Sequence, residues 1–244
     1  MLLDYVKKRS PISRWLPKRN FFFPAPFFFL YFYFFILVGG SVSASDSEKV
    51  KQYFKEVLPG ERAAAVSPSP IPGIFEVILG SRVFYITKDA RYVLKGELID
   101  VLEKKNLTAK VRSRIRMQML SSVEKKELIT FTSHEKPSRA EVYVYTDIDC
   151  GYCRKFHLEV ARINQAGITV NYLSFPRKGI KSSSYEKAVS VWCSVDREAA
   201  LTNAKKGDVV KSKTCENPVS KHFELGVSMG VIGTPAIYSS EGVE

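Results

Sequence analysis

The fold is decided by the stretch Asp147-Ile148-Asp149-Cys150-Gly151-Tyr152-Cys153, which places two cysteines where a strand turns into a helix. Residues 142–146 before it are β-branched and aromatic and predict a strand. Helical spacing of apolar residues continues to Gly167, and residues 168–175 predict a second strand. This strand–helix–strand order predicts an α/β domain in which the two strands pair in parallel through a right-handed crossover.

Cys150 and Cys153 are the candidate catalytic residues. Free N–H groups and the dipole at the start of a helix stabilise a thiolate, so Cys150 is expected to be the exposed thiol that attacks a substrate disulfide. Cys153 lies one helical turn further on, close enough to release the mixed disulfide. Gly151 and Tyr152 are expected to support the site by tuning its redox balance and contacting substrate. The pattern therefore predicts thiol–disulfide exchange.

Two other functions of a Cys-x-x-Cys pair are disfavoured by the spacing of the remaining cysteines. A zinc site needs a second close pair, whereas Cys193 and Cys215 lie 40 and 62 residues beyond Cys153. A structural disulfide between Cys150 and Cys153 would close almost no loop and would stabilise little. We therefore expect no metal and no other cofactor.

The N-terminus is typical of a secretory signal. Residues 1–20 carry six basic side chains and one acid, residues 21–38 are almost entirely apolar, and small residues follow up to Ala44. Cleavage is expected after Ala44; an uncleaved membrane anchor is the alternative, because 18 residues lie near the lower limit for a span. In both cases residues 45–244 are exported. Removing the six basic residues and one acid lowers the formal charge from +12 to +7, which disfavours nucleic-acid binding.

Cys193 and Cys215 are expected to form a structural disulfide, because an even number of cysteines in an exported chain favours disulfides. The bridge would close a loop of about 20 residues and contribute about 3 kcal/mol. A second redox relay is the alternative interpretation, although this pair lacks the close spacing that permits rapid exchange.

The histidines do not predict hydrolytic chemistry. His157 lies on the same side of the predicted helix as the two cysteines. It either tunes the thiolate or is a partly exposed helix residue, which is the interpretation we favour. His134 in a loop and His222 on a helix form no triad with Cys150, which argues against a cysteine protease.

Residues 45–107 predict a small α+β unit. Residues 47–58 have helical spacing with Asp46 or Ser47 as the cap, and prolines make residues 66–73 extended. Short strands are expected at residues 74–79, 83–87, 92–94 and 96–102. So small a unit buries little surface, and it is expected either to pair with a second copy or to pack on the second domain.

Residues 108–129 predict one uninterrupted helix, because apolar residues recur at helical intervals without glycine or proline. This helix would be a stiff connector, and residues 132–139 would form a loop at the domain boundary. Further helices and a final strand are expected in the second domain at residues 185–195, 197–206, 219–229 and 236–239.

Over residues 47–244 the chain resembles the periplasmic disulfide isomerase DsbC family. The resemblance rests on the Asp147 to Cys153 string, on the spacing of Cys193 and Cys215, and on four further strings. These are Ser174-Phe175-Pro176-Arg177, Val191-Trp192-Cys193, Leu225-Gly226-Val227 and Gly233-Thr234-Pro235. The first domain also agrees with the family, notably at residues 83–87 and at Lys95-Gly96.

The resemblance implies an α/β protein with a thioredoxin-like catalytic domain at residues 137–244. A linker helix and loop at residues 108–136 would join it to a small α+β, cystatin-like dimerisation domain at residues 45–107. Residues 1–44 would be the signal peptide or anchor. In such proteins the peptide bond between Thr234 and Pro235 is cis and faces the cysteines, where the backbone before the proline can pair with substrate as a strand edge.

The resemblance also implies partners. Family members are V-shaped homodimers whose two sites face an apolar cleft that binds misfolded, disulfide-containing proteins and gives chaperone activity. A DsbD-like membrane reductase keeps the cysteines reduced. The chain departs from the family in stopping nine residues after Pro235, where members continue with the rest of a hairpin strand and a final helix. We therefore expect a C-terminally shortened domain with an uncovered sheet edge and apolar face.

Three other functions share parts of this pattern. A dithiol oxidase would use the same cysteines, but such enzymes are usually monomers without a separate first domain. A non-enzymatic chaperone would need the cleft and not the cysteines. A reductase dedicated to one exported client, such as a cytochrome or a pilus component, is the third alternative.

Overall fold

The computed structural model describes residues 44–57 and 65–244 of the chain. The expected secretory signal lies outside these residues except for Ala44, which begins the first helix, α1 (Ala44–Val57). Within the described part, no helix is both long and apolar enough to cross a membrane.

The N-terminal part is a helix on an antiparallel sheet, in agreement with the predicted α+β unit. Its strands are β1 (Ala65–Pro68), β2 (Ile74–Leu79), β3 (Arg82–Thr87) and β4 (Val93–Leu94), and they lie in that order in the sheet. Val50 and Phe54 of α1, one helical turn apart, are buried against Phe75 and Ile86 of the sheet. The apolar spacing that predicted α1 is thus the spacing that forms this core.

Three local predictions in this part are wrong. Helix α1 begins at Ala44, so Asp46 lies in its first turn, where its carboxylate is 2.9 Å from the Lys88 ammonium and does not cap the helix. Strand β1 ends at Pro68, and the chain then turns, with Gly73 at φ 77°. The strand expected at residues 96–102 is only β5 (Ile99–Asp100), which pairs with β6 (Lys105–Asn106) apart from the larger sheet.

The predicted helix at residues 108–129 is also wrong in its second half. Helix α2 (Leu107–Ser121) is followed by a short 3-10 helix (Lys125–Glu127) and by β7 (Ile129–Phe131). Val123 and Leu128 are buried in the core of the second domain and not on a helix face. Strand β7 pairs with the sheet of that domain, so residues 129–131 are not part of a linker.

The second domain has a four-stranded sheet with helices on both faces. Strands β8 (Ala140–Thr146) and β9 (Ile168–Ser174) are parallel, as predicted, and β10 (Ala236–Ser239) and β7 are antiparallel to them in the order β10-β8-β9-β7. The helices are α3 (Gly151–Leu158), α4 (Val160–Gln165), α5 (Ser183–Trp192), α6 (Arg197–Lys206) and α7 (Val219–Ser228).

Alternate residues of the two central strands enter different cores. Val144 and Tyr172 are buried in one core, whereas their neighbours Tyr145 and Leu173 are buried in the other. Because side chains alternate across a strand, apolar residues at neighbouring positions require that both faces of the sheet be covered. The carboxyl end of β8, where the cysteines follow, is therefore held by a rigid double-sided core.

Helix α2 does more than connect the two parts, because its last turns pack on the second domain. Leu120 is buried in the core that contains Tyr238 of β10. The Arg116 guanidinium lies 4.8 Å from the centre of the Tyr238 ring and 2.9 Å from the Glu244 carboxylate. The turn before β3 makes a further contact, from the Ser81 N–H to the Ser228 carbonyl at 2.9 Å.

Candidate active site

The end of β8 and the start of α3 place the two cysteines of the candidate active site. Cys150 is the residue before the helix, and its sulfur accepts a hydrogen bond from the Cys153 N–H at 3.4 Å. The first N–H groups of a helix have no partner within the helix, so a sulfur at this position satisfies one of them. The same hydrogen bond would strengthen if the sulfur carried a negative charge.

Thr234 and Pro235 face Cys150 from the loop before β10. The peptide bond between them is cis, and the Cys150 thiol donates a hydrogen bond to the Thr234 carbonyl at 3.2 Å. The Thr234 hydroxyl oxygen is buried and has no hydrogen-bond partner among the described residues. It is therefore available to donate to the sulfur once Cys150 has lost its proton.

The expectation that Cys150 is exposed is wrong for this conformation. Only 1% of its surface is accessible, because the Thr234–Pro235 segment covers the sulfur. The residues around it are open, and Tyr152 is 74% exposed and Gly151 is also exposed. Cys150 thus lies directly beneath a surface on which Gly151 and Tyr152 can contact substrate.

The two thiols differ in acidity. Burial by itself raises the pKa of Cys150, but hydrogen bonds from Thr234 and Cys153 and the positive charge of Arg177 outweigh it, so that pKa lies below its ordinary value. Burial raises the pKa of Cys153 above its ordinary value, and the positive charge of Lys205 offsets only part of this effect. Cys150 therefore ionises more readily, and Cys153 stays protonated to higher pH.

An ion pair fixes the positive charge near Cys150. One oxygen of the buried Asp147 carboxylate accepts hydrogen bonds from the Arg177 backbone N–H and Nε, both at 3.0 Å. Its other oxygen accepts from the Asp149 N–H at 2.8 Å. The hydrogen bond to Asp147 raises the pKa of Arg177 further, so the guanidinium keeps its charge beside the site.

The buried histidines form hydrogen bonds within the core and not with the cysteines. His157 is buried, not partly exposed as expected, and its ring nitrogens lie 2.9 Å from the Tyr172 hydroxyl and 3.0 Å from the Thr202 hydroxyl. Burial lowers the pKa of His157 to about 4, so the ring is neutral near pH 7. His222 is also buried and accepts from the Ser174 N–H at 3.3 Å, whereas His134 lies in an exposed loop.

Cys193 and Cys215 are joined by a disulfide, with their Cα atoms 5.7 Å apart. Cys193 follows the last turn of α5, and Cys215 lies in the irregular segment between α6 and α7. The bridge therefore ties that segment to the body of the domain, away from the free thiols of Cys150 and Cys153.

Sequence reasoning missed two charged residues of the site. Arg177 belongs to the string Ser174-Phe175-Pro176-Arg177 but was assigned no role in the site. It contacts Asp147, which lies 30 positions earlier in the chain. Lys205 was assigned only to a helix, yet it is 4% exposed and its ammonium donates to Thr146 and Asp147. Leu201 and Ala204 are buried on the same face of α6, and this helical spacing is the signal that could have placed Lys205 inside.

A parallel strand–helix–strand unit, two free thiols at the helix start and a cis proline opposite them define a thioredoxin-like thiol–disulfide oxidoreductase. Comparison with known proteins narrows this class. Residues 41–109 match the family described as Disulfide bond isomerase protein N-terminal domain, and residues 124–244 match the Thioredoxin-like domain family.

Three relatives are named thiol:disulfide interchange protein DsbC. The one from Dickeya dadantii is 37% identical over 201 residues, which cover 82% of each chain. Those from Salmonella typhimurium and Escherichia coli are 34% and 32% identical, and the matches cover 84% and 81% of each chain. A disulfide interchange protein of known structure from Neisseria gonorrhoeae is 28% identical, with a TM-score of 0.42 over 48% of this chain and 81% of its own. The chain belongs to the DsbC family of thiol:disulfide interchange proteins.

Proposed function

We propose that the protein is a disulfide isomerase of exported proteins, with Cys150 as nucleophile and Cys153 as resolving thiol. The observation that carries the proposal is the pair of free thiols at the start of α3, with the Cys150 sulfur 3.2 Å from the Thr234 carbonyl beside the cis proline. The Cys150 thiolate attacks one sulfur of a substrate disulfide, forms a mixed disulfide and releases the other substrate sulfur as a thiolate, which takes up a proton.

Two reactions can end the mixed disulfide. A second substrate thiolate attacks the substrate sulfur, forms a new substrate disulfide and releases Cys150 unchanged, which is isomerisation. Alternatively, Cys153 loses its proton and attacks the Cys150 sulfur, so that substrate leaves reduced and a Cys150–Cys153 disulfide forms. The raised pKa of Cys153 favours isomerisation, because Cys153 must lose its proton before it can attack.

Apolar surface beside the site supports misfolded proteins as the substrate class. Tyr152, Val227 and Ile232 are 74%, 55% and 102% exposed. Misfolded chains expose apolar segments that folded proteins bury. Tyr152 lies between the two cysteines in the chain and Ile232 lies two positions before Thr234, so both can contact such segments. The same surface would give the chaperone activity expected from the family resemblance.

The N-terminal part supports a homodimer. Strand β4 is the last strand of its sheet, and its residues Val93 and Leu94 are about half exposed. Val101 and Leu102, in the turn between β5 and β6, are 78% and 90% exposed. An apolar strand at a sheet edge is a ready surface for pairing with a second copy. We place the dimer contact at this edge, with a catalytic domain from each copy.

The proposed location is the periplasm, reached through the signal at residues 1–44 with cleavage after Ala44. The basic start, apolar centre and small-residue exit of that segment support export. Each reductive turnover leaves a Cys150–Cys153 disulfide, so an external dithiol must reduce it. A DsbD-like membrane reductase is the proposed donor.

Reactivation of scrambled ribonuclease tests this function. Protein expressed from the full chain should restore ribonuclease activity, and a Cys150→Ser variant should restore none, because no mixed disulfide can form. Equal recovery by the variant would identify a chaperone that acts without its thiols. If the protein oxidised reduced ribonuclease but left scrambled ribonuclease inactive, it would be a dithiol oxidase and the isomerase proposal would be wrong.

A further inference from the structure

Lys205 is a buried cation beneath the candidate active site. It lies on α6 with 4% of its surface exposed. Its ammonium donates to the Thr146 hydroxyl at 2.7 Å and to the Asp147 carbonyl at 2.6 Å. Lysines are almost never fully buried unless their charge is paired, so the position needs an explanation.

The nearest carboxylate does not pair with Lys205. Both oxygens of Asp147 are occupied by Arg177 and by the Asp149 N–H. No ion pair within the described ranges includes Lys205. The ammonium is therefore placed to respond to negative charge that develops nearby during the reaction.

The groups that face Lys205 identify that charge. Burial lowers the pKa of Lys205 to about 8; negative charge on Cys153, Asp147 or Cys150 opposes this shift and favours the ammonium, whereas the positive Arg154 adds to it. Burial lowers the pKa of His157 on α3 to about 4, and the positive charge of Lys205 acts in the same direction. His157 is therefore neutral near pH 7. Of the groups that can gain a negative charge here without an existing partner, the sulfur of Cys153 is the most buried.

Thr146 links the two residues. Its hydroxyl oxygen accepts from Lys205, which leaves the hydroxyl hydrogen free to point elsewhere. Burial raises the pKa of the Cys153 thiol, whereas the charge of Lys205 and hydrogen bonds from the Asp147 backbone, Thr234 and Thr146 lower it in part. Lys205 therefore contacts one of the hydroxyl groups that favour the Cys153 thiolate.

We propose that Lys205 is a positioning residue that, through the Thr146 hydroxyl, stabilises the Cys153 thiolate and so accelerates the resolving step. The inference rests on the proposed function and deepens it. In that step Cys153 loses its proton to solvent, its thiolate attacks the Cys150 sulfur, the Cys150–Cys153 bond forms and the Cys150–substrate bond breaks. The substrate sulfur leaves with the bonding electrons and is then protonated.

The experiment follows resolution as a function of pH. Reduced full-chain protein is mixed with excess of a peptide disulfide, quenched rapidly with acid, and the fraction carrying the Cys150–peptide adduct is measured by mass spectrometry. Lys205→Met keeps the length of the side chain and removes its charge. Lys206→Met, an exposed neighbour on the same helix, is the matched control.

Removing the charge should move the inflection of the pH–rate profile upward by about one unit. Near neutral pH, about tenfold less thiolate is partly offset by its greater nucleophilicity, so resolution should slow about threefold. At high pH the Lys205→Met rate should equal or exceed that of the wild type. Lys206→Met should follow the wild-type curve. A merely structural role would lower the whole profile without moving the inflection.

Two further measurements keep the proposal testable if Lys205→Met folds poorly. Thr146→Val should shift the inflection in the same direction, and Thr146→Ser, which keeps the hydroxyl, should not. In a Cys150→Ser background, ultraviolet absorbance of the thiolate reports Cys153 directly, and adding Lys205→Met should raise the pKa of Cys153. If the pKa of Cys153 were unchanged in these variants, the role proposed for Lys205 would be wrong, and the isomerase proposal would be unaffected. Failure of the wild type to form any adduct would instead overturn the isomerase proposal on which it rests.

Discussion

At the scale of single residues, the site depends on two thiols that are three positions apart and differ in their surroundings. Cys150 precedes the first turn of α3 and receives hydrogen bonds that favour a thiolate. Cys153 is inside that turn with no accessible surface, so burial dominates and holds its proton. The position of each thiol at the helix start and the residues around it together distinguish the nucleophile from the resolving thiol.

Buried histidines should make folding stability depend on pH. Burial lowers the pKa of His157 from 6.5 to about 4. Between these values the unfolded chain binds more protons than the folded one, so the free energy of unfolding falls as pH falls through this window. In His157→Gln this fall should be smaller than in the wild type by up to about 3 kcal/mol. Urea unfolding at several pH values measures it.

A matched control for this prediction is His134→Gln, which changes an exposed loop histidine. It should keep the wild-type dependence on pH. If both variants lose stability with acid as steeply as the wild type, His157 is not the source of the effect.

Spacing alone predicts the site only as far as its residues are local in sequence, and the family resemblance added Thr234 and Pro235. Cys150, Gly151, Tyr152 and Cys153 form one string, and its spacing alone indicates their chemistry. Lys205 reaches the site through contacts with residues 58 and 59 positions away, which no local pattern encodes. The burial of Cys150 was missed for the same reason, because its cover comes from Thr234, 84 positions further on.

At the scale of elements, most helices and strands could be predicted because their apolar spacing is also their core. Helix α6 and strand β10 have the expected bounds. The predicted helix continued past Ser121 because Val123 and Leu128 fit a helical pattern. In the structure Val123 is buried in a turn, and Leu128 is buried just before a strand. The spacing of apolar residues indicates that they are buried. The same spacing arises from one face of a helix and from an irregular segment that folds back onto the core.

Helix α7 offers a test of how closely the elements pack. A Cβ atom at Gly226 would lie 2.6 Å from a ring carbon of Phe175 and 3.0 Å from one of Tyr145. Alanine favours a helix by up to about 1 kcal/mol, but both rings are held in the core. Overpacking should therefore win, and Gly226→Ala should lower the free energy of unfolding by about 1–3 kcal/mol.

The control is Gly151→Ala, because nothing lies within 4 Å of a Cβ atom added there. Guanidinium unfolding should show no loss of stability for that variant. Equal stability of wild type and Gly226→Ala would mean that the space between α7 and β9 is larger than these distances indicate.

At the scale of the whole molecule, the two four-stranded sheets serve different tasks. The sheet of the second domain is covered on both faces and fixes the cysteines. The N-terminal sheet buries one face against α1 and leaves apolar residues accessible at its β4 edge. The sequence indicated a unit too small to be stable alone but could not choose its neighbour, because the edge strand appears only once the strand order is known.

The β4 edge predicts that dimerisation and isomerisation are linked. Leu94 is 48% exposed on this strand, and an aspartate there would bring two negative charges together across a paired edge. We expect Leu94→Asp to sediment as a monomer and to lose most reactivation of scrambled ribonuclease. Its attack on a small disulfide should be unchanged, because Cys150 and Thr234 lie in the other domain. Val209→Asp, at an exposed position between α6 and α7, should remain dimeric and active. A Leu94→Asp protein that is monomeric and fully active would separate the two properties and assign isomerisation to the catalytic domain alone.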